Sequence, residues 1–505
     1  MTAHATVLLH PDFRTGTLDR RLFGSFVEHL GRAVYTGIYE PGHATADEHG
    51  FRRDVADLTR ELGVTVVRYP GGNFVSNYVW EDGVGPVEQR KPFIDLAWRT
   101  VEPNLIGTDE FLQWAEREGI EPMMAVNLGT RGVAEAAALV EYCNGVAGSR
   151  WADLRIANGR TEPYGVKLWC LGNEMDGPWQ IGHKDAHEYG KLAAEAGKAM
   201  KLVDPTIELV ACGSSSMTMD TFGEWEQTVL SYTYDLVDHI SMHAYYEEHD
   251  GDRASFLGSG TSMDRFIRRV VASADAVGAR KRSDKQITIS FDEWNVWYLE
   301  TRFPGESNLP LQHQPARIIE DVYSGLDAVV LGDLMVTLLN HADRVPVACL
   351  AQLVNVIAPI LTEPGGPAWK QTIYYPYYFA SVYGRGTALN LKVDSPGYDA
   401  EIADNVSYLD ISGVHDEEAK AITFFAVNRN DKEALELSVD LQGFGKSARV
   451  IDHQVVAHSD LKIANTLKNQ NAVAPAKGSG TAVDGTTLTG KLAPYSYHMI
   501  RVQLA

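Results

Sequence analysis

Cysteine is scarce in this chain of 505 residues. The four that occur lie far apart and without paired spacing: Cys143, Cys170, Cys212 and Cys349. Three of them fall inside apolar, strand-like runs, where a free thiol behaves as a small apolar side chain. The pattern therefore predicts neither a disulfide framework nor a zinc knuckle.

Basic residues and long apolar runs are also in short supply. Lys and Arg total 45 against 67 Asp and Glu, which gives a net charge of −22 and a pI near 5.1. Because such a charge repels phosphate backbones and anionic lipids, we expect no nucleic acid and no membrane as partner, and a neutral substrate. No run reaches membrane-spanning length, and the N-terminus lacks a basic region followed by a long apolar core. We expect a cytoplasmic protein.

Most of the chain alternates short apolar runs with longer helical patterns. The strand candidates are 22–29, 64–69, 121–128, 166–173, 208–213, 238–245, 286–293 and 345–352. Between them, apolar residues recur at a spacing of three and four, as in 54–62, 110–118, 133–143, 186–200 and 318–339. Strands that are buried on both faces and alternate with helices pair in parallel, and such repeats close into a (β/α)8 barrel.

From about Gly384 the pattern changes to period-two alternation without helices. The runs 421–427, 435–441, 448–456 and 499–504 are separated by turns rich in Gly, Asn and Asp, which is typical of an antiparallel, jelly-roll-like β-sandwich. We predict an N-terminal strand segment (1–18) that joins the sandwich, a catalytic barrel (19–379) and a C-terminal β-sandwich (380–505). The expected role of the sandwich is a structural lid or brace.

Polar side chains mark the carboxyl ends of most predicted barrel strands, where barrel enzymes assemble their sites. These residues are Glu28, Arg68, Asn127, Glu174, His243, Glu293 and Gln352. Any one of them is adequately explained as the return of polarity at the end of a strand. The whole set is better explained as one site at the mouth of the barrel.

Glu174 and Glu293 carry the clearest chemistry in this set. Cleavage of a glycosidic bond requires one carboxylic acid that protonates the departing sugar oxygen and one carboxylate that attacks the anomeric carbon or activates water. An acid at a buried strand end is costly without such a role. The sequence therefore predicts a glycosidase.

Two other motifs do not support a metal or cofactor site. His183 and His187 have the spacing of a zinc-protease helix, but Lys184 occupies the position of the general-base glutamate. The glycine pairs of the chain are too short and wrongly placed for a nucleotide-binding loop. We expect no cofactor and no metal.

Several longer motifs resemble glycoside hydrolase family 51, the α-L-arabinofuranosidases. They are RYPGGNFVS (68–76), WEDGVGP (80–86), DLAWR (95–99), WCLGNEMDGPW (169–179), DEWN (292–295) and ACLAQLVNVIAPI (348–360). The resemblance covers the whole barrel and, more weakly, the C-terminal region. It implies that Glu174 is the acid/base, that Glu293 is the nucleophile and that the reaction retains anomeric configuration. Retention requires carboxyl groups about 5 Å apart.

The resemblance also implies a set of substrate-binding residues. Asn173 is expected to bind the sugar 2-hydroxyl. The others are Glu28, Asn73 and Gln352 around the terminal arabinofuranose, His243 and Tyr245 near the nucleophile, Arg68 as a donor to Glu293, and Trp98 and Trp297 against the sugar. Alternatives stay open for some of them, since Asn73 suits a turn, His243 a satisfied buried histidine and the two tryptophans core packing.

The function expected from this resemblance is a retaining, exo-acting α-L-arabinofuranosidase that releases terminal arabinose from arabinoxylan- or arabinan-derived oligosaccharides. The alternatives are an endo-β-glucanase of the same family and a non-catalytic sugar-binding protein. The resemblance also implies a homo-oligomer, commonly a hexamer. The loop at 102–107 departs from the family pattern, and we expect it to border the pocket and affect linkage preference.

Overall fold

The computed structural model describes residues 3–305, 308–445 and 447–504. Its strands up to the end of the barrel are β1 (Ala3–Leu8), β2 (Arg14–Thr17), β3 (Gly24–Phe26), β4 (Val66–Tyr69), β5 (Phe93–Asp95), β6 (Thr100–Glu102), β7 (Glu121–Ala125), β8 (Leu168–Leu171), β9 (Glu208–Ala211), β10 (His239–Tyr246), β11 (Thr288–Val296), β12 (Gln312–His313), β13 (Val347–Leu350), β14 (Ile360–Thr362) and β15 (Ala368–Lys370). The helices are α1 (Arg53–Leu62), α2 (Thr108–Glu118), α3 (Val133–Asn144), α4 (Arg150–Ala157), α5 (Ala186–Val203), α6 (Glu224–Thr233), α7 (Arg253–Leu257), α8 (Ser259–Lys281), α9 (Leu299–Arg302), α10 (Gly325–Asn340) and α11 (Tyr374–Tyr383).

A closed parallel barrel forms the centre of the molecule. Its strands follow one another around the barrel in the order β3, β4, β7, β8, β9, β10, β11 and β13, and each of them lies inside or overlaps one of the predicted runs. Their apolar side chains are almost fully excluded from water, as at Val66, Leu168 and Ile289, because helices cover the outer face. The carboxyl ends of all eight strands therefore open on one side of the molecule.

Helix α10 corrects one predicted boundary. The apolar spacing predicts a helix over 318–339, but the observed helix begins at Gly325. Ser324 caps it, since its side chain accepts a hydrogen bond from the backbone N–H of Asp327, whose carboxylate in turn accepts one from the N–H of Ser324. Ile319 lies in the left-handed region with φ 55°, so the residues before the cap cannot extend the helix.

The remaining strands build two facing, mainly antiparallel sheets and a separate two-stranded sheet within residues 397–407. They are β16 (Thr387–Leu389), β17 (Lys392–Asp394), β18 (Gly397–Ala400), β19 (Ala403–Ser407), β20 (Leu409–Asp416), β21 (Ala421–Asn428), β22 (Leu435–Asp440), β23 (Ala448–Val456), β24 (Ala476–Lys477), β25 (Ala482–Asp484), β26 (Thr487–Leu492) and β27 (Ser496–Leu504). One sheet has the order β2-β16-β20-β21-β27-β23-β24 and the other β17-β1-β22-β26-β25. A second apolar core lies between them and includes Val7, Phe424 and Leu437. The predicted fold class, a (β/α)8 barrel with a β-sandwich, is confirmed.

The N-terminal strands belong to the sandwich sheets. β1 pairs in parallel with β22, and β2 pairs with β16. Helix α11 runs across the proposed division at 379/380, and the domain limits stay a prediction. Among the described helices, none combines the length and apolar character that crossing a bilayer requires.

Candidate active site

A cavity of about 530 Å³ lies at the carboxyl ends of the barrel strands. The predicted site residues that line it are Glu28, Asn73, Trp98, Glu174, Tyr245, Glu293, Trp297 and Gln352. Arg68, Asn173 and His243 lie behind this wall and are almost fully buried. The barrel thus brings together residues from seven different parts of the chain.

Glu174 occupies an unusual backbone position just after β8. Its φ is 44°, in the left-handed region. Holding a residue with a β-carbon in this conformation costs of order 1–3 kcal/mol of stability. This turn directs the carboxylate into the cavity, with 9% of the residue exposed. Oε1 lies 2.8 Å from Nδ1 of His243, and Oε2 accepts a hydrogen bond of 2.7 Å from Nε1 of Trp179.

Glu293 lies on β11 and is held by two donors. Nη1 of Arg68 donates to Oε1 at 2.6 Å, and the hydroxyl of Tyr245 donates to Oε2 at 2.8 Å. A guanidinium and a hydroxyl directed at the two oxygens favour the ionised carboxylate. Oxygen atoms of Glu174 and Glu293 lie within 4.8 Å of each other, which is close to the separation that retaining glycosidases use.

Glu28 forms the floor of the cavity together with Gln352 and Trp98. One oxygen of Glu28 accepts hydrogen bonds from the backbone N–H of Phe74 at 2.9 Å and from Nε1 of Trp98 at 2.8 Å, and the other accepts one from Nε2 of Gln352 at 3.2 Å. Burial, with a further contribution from the charge of Glu293, raises the pKa of Glu28 to about 8. Glu28 is therefore mostly a neutral acid at pH 7, able to donate a hydrogen bond to a sugar hydroxyl.

Asn73 begins a short 3-10 helix (Asn73–Asn77) and also faces the cavity. Its side-chain oxygen accepts from Nδ2 of Asn173 at 3.2 Å, and Oδ1 of Asn173 accepts from Nη2 of Arg68 at 2.7 Å. The preceding Gly72 is required by close approach, since a Cβ there would lie 3.0 Å from Oε1 of Glu293. Asn73 therefore takes part both in the turn that follows β4 and in the cavity.

Aromatic rings continue the wall beyond the carboxyl groups. Trp297 lies edge-on to Tyr245 with ring centroids 4.8 Å apart, and Phe303 lies 5.6 Å from Trp297 and 6.3 Å from Trp98. Trp98 is buried and also lines the cavity, so core packing and a site role coexist in one residue. Phe303, which the motifs do not single out, completes this wall.

The structure departs from the expected site at two places. Asn127 binds its own loop, donating to the carbonyl of Tyr78 at 3.0 Å and accepting from the N–H of Thr130 at 3.0 Å, and it does not line the cavity. Within the described part of the chain, the lining includes none of residues 102–107. That loop folds inward instead, because Glu102 accepts hydrogen bonds from His29 and from the N–H of Asn104.

Two site residues were quoted within motifs but not selected as site residues. Trp179 lies five residues after Glu174, is 41% exposed and lines the cavity. A tryptophan in the loop that follows the predicted catalytic acid is the sequence signal that could have identified it. Asp292 precedes Glu293 and binds Nε2 of His243 at 2.9 Å. Strand alternation alone places it on the opposite face from Glu293.

Two groups of described side chains have the spacing that a metal ion needs: Glu174, His243 and Glu293, and Glu247, His249 and Glu300. In the first group His243 already bridges to Glu174 and Asp292, so a metal would have to displace these hydrogen bonds. In the second, Glu247 accepts from the N–H of Glu300 at 2.6 Å and from Thr301 at 2.7 Å, and these bonds anchor the start of α9.

Comparison with known proteins identifies the family. Family models of the α-L-arabinofuranosidase 1 domain and of the α-L-arabinofuranosidase C-terminal domain match residues 58–261 and 292–496. An intracellular exo-α-(1→5)-L-arabinofuranosidase of Halalkalibacterium halodurans is 56% identical, over 99% of both chains. The solved structure of AbfB, a family 51 α-L-arabinofuranosidase from Bifidobacterium longum, superposes with a TM-score of 0.94 at 45% identity and covers 99% of this chain and 100% of its own.

The chain belongs to glycoside hydrolase family 51, the α-L-arabinofuranosidases. This family 51 enzyme is therefore a glycoside hydrolase, as its two glutamates predict. A second relative, an exo-α-(1→6)-L-arabinofuranosidase of Bifidobacterium longum, is 50% identical over 97% of this chain and 96% of its own. The predicted cytoplasmic location agrees with the word intracellular in the name of the first relative.

Proposed function

We propose that this family 51 enzyme is a retaining, exo-acting α-L-arabinofuranosidase in which Glu174 is the acid/base and Glu293 the nucleophile. The observation that carries the proposal is the pair of carboxylates within 4.8 Å of each other, one of which is held by Arg68 and Tyr245. The two donors at Glu293 suit a carboxylate that acts as the nucleophile.

In the first step Glu293 attacks the anomeric carbon while Glu174 protonates the departing oxygen. Having lost its proton to the departing oxygen, Glu174 is then a carboxylate that accepts a proton from an incoming water. The oxygen of that water bonds the anomeric carbon, and the bond to Glu293 breaks, which restores both carboxyl groups. By resemblance to the family, Asn173, whose side chain Arg68 orients, binds the 2-hydroxyl, a contact that strengthens as positive charge develops at the anomeric carbon.

The floor of Glu28, Gln352 and Trp98 supports an exo mode of action. Trp98 and Gln352 both donate to Glu28, so hydrogen-bonded protein groups lie at this part of the cavity, as a pocket for a terminal sugar requires. A polar pocket selects its sugar by leaving its own buried groups unpaired when a wrong sugar enters. The substrates that we propose are arabinoxylan- or arabinan-derived oligosaccharides with terminal α-L-arabinofuranosyl residues.

Removal of each carboxylate tests the proposal. Glu174→Ala and Glu293→Ala should each lower kcat on 4-nitrophenyl α-L-arabinofuranoside by at least about 100-fold. Glu188→Ala, which removes an exposed carboxylate from the first turn of α5, is the matched control and should resemble the wild type. Either catalytic-site variant behaving like the control would overturn the assignment.

The early products on linear arabino-oligosaccharides separate exo from endo action. An exo enzyme releases arabinose alone from the start, whereas an endo enzyme produces a mixture of shorter oligosaccharides. One relative is named for the α-(1→5) linkage and another for the α-(1→6) linkage, so the oligosaccharides tested should include both linkages. Early mixed oligosaccharides, or cleavage of β-glucan, would favour the endo alternative.

We also propose that the enzyme forms a homo-oligomer, a hexamer by resemblance to its family. Light scattering on a sizing column should then give about six times the chain mass of 55.6 kDa. A mass near one chain would contradict this proposal and leave the catalytic assignment untouched.

A further inference from the structure

Asp292 and Glu293 are consecutive on β11, yet both carboxylates reach His243. Oδ1 of Asp292 lies 2.9 Å from Nε2 of His243, and Oε2 of Glu293 lies 3.6 Å from Nδ1. Consecutive strand residues normally point to opposite faces. Here the pairing of β11 with β13 shifts between Phe291 and Trp294, and such an irregularity redirects side chains.

His243 has a carboxylate at each ring nitrogen. Nδ1 lies 2.8 Å from Oε1 of Glu174, opposite the Asp292 contact at Nε2. Only a doubly protonated imidazole can donate to both. Burial lowers the pKa of His243, but Glu293, Asp292 and Glu174 outweigh burial and raise the pKa to about 10.

The charges around His243 come from three elements. Glu174 and Asp176 follow β8, Asp292 and Glu293 lie on β11, and Arg68 on β4 places Nε 3.8 Å from Oδ2 of Asp292. Burial raises the pKa of Asp292, but Arg68 and His243 bring it below its usual range. Asp292 is therefore a fixed negative charge behind the imidazole.

We propose that Asp292 is a positioning residue that acts through His243 to hold the proton that Glu174 delivers to the leaving group. The inference rests on the role proposed for Glu174. Transfer of the proton from Nδ1 of His243 to Oε1 of Glu174 gives a neutral acid and a neutral imidazole whose remaining proton, on Nε2, still binds Asp292. After Glu174 has protonated the departing oxygen, it is a carboxylate that accepts a proton from water.

Asp292→Asn tests this role because it keeps the shape of the side chain and removes its charge. A 4-nitrophenyl leaving group departs with little protonation, whereas a sugar needs the acid. The variant should lose about 100-fold in kcat/KM on an α-L-arabinofuranosyl disaccharide and less than about 10-fold on 4-nitrophenyl α-L-arabinofuranoside. Because the imidazolium loses one carboxylate partner, the alkaline limb of the disaccharide pH profile should move to lower pH.

Cys170→Ala is the matched control, since Sγ of Cys170 contacts the other oxygen of Asp292 at 3.6 Å and not His243. This variant should keep the wild-type ratio of kcat/KM values on the two substrates. The alkaline limb of its disaccharide pH profile should also match that of the wild type. If Asp292→Asn loses the same factor of kcat/KM on both substrates and the alkaline limb of its pH profile does not move, the inference is overturned and the role of Asp292 is structural only.

His243→Gln supplies the same test if Asp292→Asn does not fold. It should show the same selective loss on the disaccharide, and the double variant should be no worse than the more affected single variant, because the two residues act in series. Additive losses would overturn the proposal. Failure of the wild-type enzyme to cleave either substrate would instead refute the proposed function.

Discussion

Neighbouring carboxyl groups in the cavity differ in their partners. Glu293 faces a guanidinium and a hydroxyl, which favour its charge, whereas Glu28 faces neutral donors and lies near another carboxylate. Burial raises the pKa of Glu28 to about 8 and so favours its neutral form, whereas Glu293 has the donors that suit the proposed nucleophile. In the proposed assignment, one pocket thus combines a neutral hydrogen-bond donor for the sugar with a charged nucleophile.

Replacement of Glu28 tests the neutral donor. Glu28→Gln retains a neutral polar group and should weaken arabinose binding by about 10-fold, while Glu28→Ala leaves Trp98 and Gln352 unpaired and should weaken binding by at least about 100-fold. Calorimetric titration with arabinose measures both. Wild-type binding should also weaken as the pH rises through about 8, where Glu28 ionises, and the Gln variant should lack that decline. A pH dependence shared by both proteins would contradict the account.

Single residues also mark the limit of what sequence patterns predict. The cavity residues Glu28, Glu174, Glu293 and Gln352 could be predicted because each lies at or near the end of a predicted apolar strand, and all but Glu28 also lie within a family motif. The approach of Asp292 to His243 depends on a shift in strand pairing, which no periodicity records.

Among whole elements, the barrel strands were the most predictable. Their centres are apolar, and β8 and β13 are short, fully apolar runs, because both faces of the strand are buried. The start of α10 was less predictable, since residues 318–324 are also apolar in pattern and only the Ser324 cap determines where the helix begins. Small sheets such as β5-β6-β12 have strands of two or three residues, too short for a periodic signal.

Strands β23 and β27 contain a pair of histidines that makes the sandwich sensitive to acid. Nε2 of His453 lies 2.9 Å from Nδ1 of His498, and burial, with the neighbouring His453, lowers the pKa of His498 to about 3. The unfolded chain binds a proton near pH 6.5, so stability is complete above that pH and falls as the pH drops toward 3. The loss between pH 6.5 and 5 amounts to about 2 kcal/mol.

His498→Asn should remove this sensitivity. The variant will be less stable than the wild type at pH 7, but the difference between its Tm values at pH 7 and pH 5 should be smaller than in the wild type. Scanning calorimetry measures it, with the exposed His4→Asn as control. An unchanged pH dependence in His498→Asn would show that the histidine pair is not the acid-sensitive element.

For the molecule as a whole, a buried ion cluster connects the barrel to the sandwich. Arg429, just after β21, donates from Nε to Asp333 of α10 at 2.8 Å and from Nη2 to Asp410 of β20 at 2.8 Å. Gly332 next to Asp333 lets Tyr497 of β27 approach, since a Cβ there would lie 2.3 Å from its ring. Charge and packing therefore fasten α10 to the sandwich at the same place.

Arg429→Met should destabilise the protein by about 3–5 kcal/mol, because it leaves a buried carboxylate without its partner. Arg14→Met, which breaks an exposed ion pair of 3.0 Å with Glu417, should cost less than about 1 kcal/mol. Denaturant unfolding compares them. Equal stabilities of the two variants would show that the buried cluster does not connect the two parts energetically.

Rescue by azide tests the two carboxylate roles most directly. Glu174→Ala still forms the glycosyl-enzyme on Glu293 from an activated aryl arabinofuranoside, and azide then attacks from the face that the leaving group vacated. The account predicts that azide restores turnover in Glu174→Ala and gives an arabinofuranosyl azide of α configuration. A β-configured azide from Glu174→Ala, or an α-configured azide from Glu293→Ala, would contradict it.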